Sequence, residues 1–114
     1  MGVPELRLIT LKARCPDTEY SEEFLQGMIN RITTGFLKYG ALDDPAKNVN
    51  WLACARQRIE EYHKTKNTEF LIDAGNFIMF EFLHPQLPDA YFKGTDSHES
   101  PGIITLEGIV ERKT

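Results

Sequence analysis

The sequence predicts an all-α fold: a helical bundle built from an antiparallel helix hairpin plus one long amphipathic helix. The same reading expects a four-helix core completed by dimerisation, with extended N- and C-terminal arms. Three observations carry it. The stretch 69–83, EFLIDAGNFIMFEFL, is apolar almost all the way round when wound as a helix. The stretch 50–64 places apolar residues at helical steps and joins the first through a short polar turn, TKNT. Residues 20–39 repeat the helical step over a longer span.

The chain has 114 residues, enough for one domain with a modest core. A single domain over 1–114 is expected, with its core at about 20–84 and a C-terminal loop and arm over 85–114. Apolar content of 41% beside 26% charged residues is ordinary for a globular protein. Thirteen basic against seventeen acidic residues give a net charge of −4, which argues against a nucleic-acid partner. No apolar run approaches the roughly 20 residues of a membrane span, so no membrane partner is expected. The N-terminus lacks the basic-then-apolar shape of a signal peptide. Cys15 and Cys54 make neither a disulfide framework nor a metal cluster. A reduced, cytoplasmic protein is the expectation.

Residues 1–17 fit a short strand or a helix equally well and are read as an arm that ends at Pro16. Asp17 or Ser21 can cap the first helix, with Glu19, Glu22 and Glu23 in its acidic first turn. Tyr20, Phe24, Met28, Ile32, Phe36 and Tyr39 form its apolar face, and Gly40 is its stop. A polar loop over 42–50 follows. Asn50 can cap the second helix, whose apolar face is Leu52, Ala55, Ile59 and Tyr62 with Trp51 at the edge. Thr68 can cap the third helix. A tight connection between the second and third helices predicts an antiparallel pair. Residues 84–102 are a loop with a turn of helix expected around Asp89–Phe92. Ile103–Val110 alternates loosely, as a strand or an extended arm would.

The third helix carries one polar stripe. Glu69, Asp73 and Asn76 fall within roughly 40° of one line, because i, i+4 and i+7 stack on one face. A helix greasy on its other sides should be buried, and buried carboxylates need partners. A divalent cation is one such partner; Glu60 or Glu61 from the second helix would join it, and oxygen donors of this kind suit Mg²⁺ or Mn²⁺. An arginine is the other, and Arg56 and Arg58 are the candidates. Glu69 would then be an ordinary first-turn acid.

His63 and His84 end helices, where they favour the macrodipole. His98, between Asp96 and Glu99, matches no zinc spacing and reads as a solvated loop residue. Phosphate-cradling glycine loops are absent.

The run Tyr39-Gly40, a spacer of about ten residues, LACARQRIEEY and then TEFLIDAGNFIMFEF resembles the MazG-like all-α NTP pyrophosphohydrolases, closest to their small phage and accessory-genome members. The residues that carry it are Arg58, Ile59 and Glu60 or Glu61, then Asp73, Asn76 and Phe77, and it covers about 20–84. It implies a helical bundle completed by dimerisation and Mg²⁺-dependent hydrolysis of a nucleoside triphosphate to the monophosphate and pyrophosphate. Family members hold Mg²⁺ with an EExxE segment and an ExxD segment. This chain departs from both: Glu22-Glu23 is followed by Gln26, Glu60-Glu61 by Lys64, and Glu69 and Asp73 are spaced ExxxD. In an active enzyme Glu61, Glu69 and Asp73 would hold Mg²⁺ or Mn²⁺, and Glu60 would orient water. Lys38, Arg56 or Arg58 would hold the phosphates, and Asn76 a ligand group. The alternative is a catalytically degenerate nucleotide- or metabolite-binding or protein-interaction module on the same fold. A homodimer, or a dimer of dimers, is expected in either case.

Overall fold

The structure is a computed structural model, and residues 13–108 and 110–111 are described. The arm expected over 1–17 falls largely outside that range. Three helices dominate: α1 (Glu22–Tyr39), α2 (Trp51–Thr65) and α3 (Glu69–Leu83). A short 3₁₀ turn, Asp17–Glu19, precedes them. Two two-residue strands follow, β1 (Ile103–Ile104) and β2 (Val110–Glu111), paired antiparallel with Ile103 opposite Glu111 and Ile104 opposite Val110.

Helix boundaries follow local chemistry. Ser21 is the cap of α1: its hydroxyl accepts from the Phe24 amide at 3.0 Å, satisfying one orphan donor of the first turn. Gly40 ends α1 at φ 78°, a backbone position that suits glycine. The Asn50 side chain caps α2 by accepting from the Ala53 amide at 3.0 Å. Thr68 does not cap α3 with its side chain. Asn67 does that work, accepting from the Glu69 amide at 3.1 Å. The turn between α2 and α3 closes on Lys66 in the left-handed region, φ 64°. The expected helical turn at Asp89–Phe92 is instead a turn over residues 87–90, closed by the Ala90 amide on the Leu87 carbonyl.

Packing centres on Trp51, which is 6% exposed and is a core residue rather than an edge residue. Its indole meets Phe80 edge-on at 5.5 Å and stacks on Phe77 at 6.3 Å. The start of α2 thus lies against the C-terminal half of α3. About two turns along α2 from Trp51, Arg58 lies over the Phe77 ring at 5.1 Å.

α1 packs mainly on α3, and glycines set the approach. An added Cβ on Gly27 would lie 2.7 Å from Ile72 Cδ1, and one on Gly75 would lie 3.2 Å from Phe24 Cζ. Ala74, 4% exposed, lies between those contacts in sequence. The third helix is less enclosed than its composition leads one to expect: Ala74 and Asn76 are buried, but Ile78 and Phe82 are 52% and 70% exposed. No helix among the described residues is long and apolar enough to cross a membrane.

Candidate functional site

A cleft of about 620 Å³ opens between the C-terminal half of α1, the loop after it, the start of α2 and the middle of α3. Its apolar wall is Trp51, Phe77 and Phe80, faced by Ile32, Phe36 and Tyr39 from α1. Arg31, Lys38, Lys47 and Arg58 also line it, against one carboxylate, Asp73. In a chain of net charge −4 this concentrates positive charge beside an aromatic surface.

The polar stripe of α3 faces α1. Arg31 grips Asp73 in a two-pronged pair: Nε donates to Oδ1 at 2.9 Å and Nη2 to Oδ2 at 3.0 Å. The same Nη2 lies 3.1 Å from Glu69 Oε1. Hydrogen bonding to Asp73 raises the Arg31 pKa above its ordinary value; partial burial opposes this, and attraction to Asp73 and Glu69 adds to it. Arg58 approaches Asp73 from the other side, Nε to Oδ2 at 3.8 Å, too long for a good hydrogen bond. Its Nη1 donates to Gln57 Oε1. Asn76, 4% exposed, sends its amide N–H to the Met28 carbonyl of α1 at 3.2 Å, while its Oδ1 is buried with no hydrogen-bond partner among the described residues.

Of the residues singled out from sequence, Lys38, Arg58, Asp73 and Asn76 meet at the cleft. Arg56 and Glu60 are exposed, and Glu61 is half-buried on α2; none of the three lines the cleft. Glu69 lies at its edge, through Arg31. Among the described residues no group of three or more His, Cys, Asp or Glu side chains is placed to hold a metal, so Glu61, Glu69 and Asp73 are not gathered as one. Both Asp73 oxygens and one of Glu69 already face a guanidinium. As it stands, this donor set does not fit Mg²⁺ or Mn²⁺, which need free oxygen ligands.

Arg31 is the residue that sequence reasoning missed. Of the two partners expected for Asp73 from the adjoining helix, Arg58 makes a long ion pair with it at 3.8 Å, while the shorter, two-pronged contact comes from Arg31 on α1. The available signal was Gly27. A glycine facing α3 marks close helix approach, and the residue one turn on, Arg31, shares that face. Gln86 was also missed. Its side-chain amide donates to the Val49 carbonyl at 2.7 Å and accepts from the Trp51 amide at 3.1 Å, which fixes one wall of the cleft.

No family model, no curated protein and no solved structure matches the chain. The MazG-like resemblance therefore rests on the motifs quoted above.

Proposed function

We propose that this chain is a nucleotide- or metabolite-binding module that takes an anionic, ring-bearing small molecule into the α1–α3 cleft. One observation carries the reading: four cationic side chains face the cleft against a single carboxylate, and Arg31 already holds that carboxylate. Lys38, which has no hydrogen bond or ion pair among the described residues, and Arg58 would meet the anionic group. Trp51, Phe77 and Phe36 would meet the ring through their apolar faces. The unit of this reading is a homodimer.

Thermal shift with a panel of nucleoside mono-, di- and triphosphates and sugar phosphates tests it. Stabilisation by a subset of them, without metal and without turnover, is the expected result. No shift with any member would remove the reading.

Metal-dependent pyrophosphohydrolysis is the second reading: it requires Arg31 to release Glu69 and Asp73, whose carboxylates converge on it. Pyrophosphate release from the same panel with Mg²⁺ and Mn²⁺ separates the two. Release that disappears in Asp73→Ala would establish the enzyme. Binding without release would establish the module.

A further inference from the structure

The four cations of the cleft are not equivalent. Arg31 is committed to Asp73 and Glu69. Arg58 is drawn towards Asp73 at 3.8 Å and lies over the Phe77 ring. Lys47 differs from both. It is half-buried in the cleft wall, and its Nζ donates to the Gly40 carbonyl at 2.7 Å. Among the described residues it forms no ion pair, although Asp43 and Asp44 precede it in the same loop. The loop is folded to hold it there. The Lys47 N–H donates to the Asp44 carbonyl at 2.9 Å, and the Asp44 carboxylate is turned to the Ala46 amide, also at 2.9 Å. Further along the loop the Val49 carbonyl accepts from Gln86 at 2.7 Å.

A partly buried ammonium group is costly when no anion meets it. The Gly40 carbonyl occupies one of its three N–H groups and neutralises no charge. A lysine beside a helix C-terminus can do this alone, capping the last carbonyls of the helix. Lys38 carries Lys47 beyond that role. It stands on the last turn of α1, just before Gly40, and lines the same cleft without an ion pair of its own among the described residues. The Gly40 contact therefore brings Lys47 to the end of the cleft where Lys38 stands, and neither charge is balanced there. We propose that Lys47, with Lys38, anchors an anion subsite at this end of the cleft and takes the phosphate group of a phosphate ester, whose ring then lies along Trp51 and Phe77. This rests on the reading of the cleft as an anion site and adds the end at which the anion sits. Phosphate fits better than carboxylate, because its three terminal oxygens accept from two ammonium groups and from water at once.

Calorimetric titration of the full chain with inorganic phosphate, inorganic pyrophosphate and phenyl phosphate tests this, on the wild type, Lys47→Gln, Lys47→Arg and Lys64→Gln. Glutamine keeps a donor for the Gly40 carbonyl but carries no charge. Lys64 is exposed on α2 and does not line the cleft. Lys47→Gln should weaken pyrophosphate and phenyl phosphate binding about 10-fold or more while keeping the helical circular-dichroism signal. Lys47→Arg should recover most of that loss, and Lys64→Gln should bind as the wild type does. Magnetic resonance on the wild type needs no variant: the Lys47 side-chain and Gly40 amide signals should move on adding pyrophosphate. A wild type that binds none of the three probes overturns the proposal. So do binding in Lys47→Gln within about twofold of the wild type, which leaves Lys47 as a helix cap only, and an equal loss in Lys64→Gln, which is an effect of net charge. Signals that move only elsewhere in the chain overturn it as well. Pyrophosphate bound through Lys47 with no response to the nucleotide and sugar-phosphate panel would remove the nucleotide reading and keep the subsite. Nucleotides bound equally well by Lys47→Gln would do the reverse.

Discussion

Arg31 and Asp73 should behave as one energetic unit, and a double-mutant cycle with Arg31→Ala and Asp73→Ala measures it. The pair joins α1 to α3 through two charge-assisted bonds of 2.9 and 3.0 Å. Exposed ion pairs contribute ~0.2–1 kcal/mol, while hydrogen bonds to charged groups contribute ~1.5–3 kcal/mol. The burial of the two side chains decides between these ranges. Asp73 is 16% exposed but Arg31 is 48% exposed, so solvent screens much of the attraction. A coupling energy of about 1 kcal/mol is expected, above the lower range's midpoint because the fork is two-pronged. For a chain of this size ~1 kcal/mol moves the melting temperature by about 4–8 °C. Arg31→Ala should cost more than the coupling alone, because Arg58, at 3.8 Å, compensates Asp73 only in part. The assay is urea unfolding followed by circular dichroism, with and without millimolar Mg²⁺. A coupling below about 0.3 kcal/mol would lie within ordinary additivity error and refute the reasoning. Mg²⁺ that stabilises the wild type but not Asp73→Ala would refute it more sharply, by showing that the carboxylates prefer a metal to Arg31.

Gln86→Ala should lose the two bonds that pin Val49 and Trp51, at a cost of about 1–2 kcal/mol. Because Trp51 is 6% exposed, its fluorescence should shift to longer wavelength as that wall loosens; an unchanged spectrum would sink the wall-fixing role. Gly40→Ala places a side chain at φ 78° and should destabilise by about 1–2 kcal/mol, read as a lower urea midpoint with an unchanged slope. Arg58→Ala should abolish ligand-dependent thermal stabilisation while moving the melting temperature of the free protein by only a few degrees, since Arg58 makes one long contact to Asp73, one ring contact to Phe77 and one exposed bond to Gln57. A ligand shift of the same size in that variant would remove Arg58 from the cleft's recognition set.

Local chemistry made the helices legible. Ser21 and Asn50 cap the helices they were expected to cap, because a side-chain oxygen needs only the next three residues to find its amide. The third helix spans 69–83, the whole apolar stretch, since the polar turn before it and the His-Pro after it are also local signals. Thr68 shows the limit of such reading: the Phe70 and Leu71 amides that its hydroxyl could cap go to the backbone carbonyls of Asn67 and Thr68, while the Asn67 side chain takes the Glu69 amide.

Burial and pairing were not legible to the same degree. The sequence predicts full enclosure of the third helix only with a second copy packed on it, and in a single copy Ile78 and Phe82 are exposed, because two neighbouring helices cannot cover every side of a third. Trp51 read as an edge residue of its own helix. It became the centre of the core because Phe77 and Phe80 reach it from a different helix.

The polar stripe gives the clearest division. Sequence alone determined that Glu69, Asp73 and Asn76 share one face and that buried carboxylates there need a partner, since helical periodicity and the cost of unpaired charge are properties of one helix. Only the tertiary structure decided that the nearest partner is Arg31, 42 positions away along the chain, with Arg58 at a longer distance. That choice depends on how closely α1 and α3 approach. The gap is set by Gly27 against Ile72 and Gly75 against Phe24, contacts between residues that no local pattern brings together.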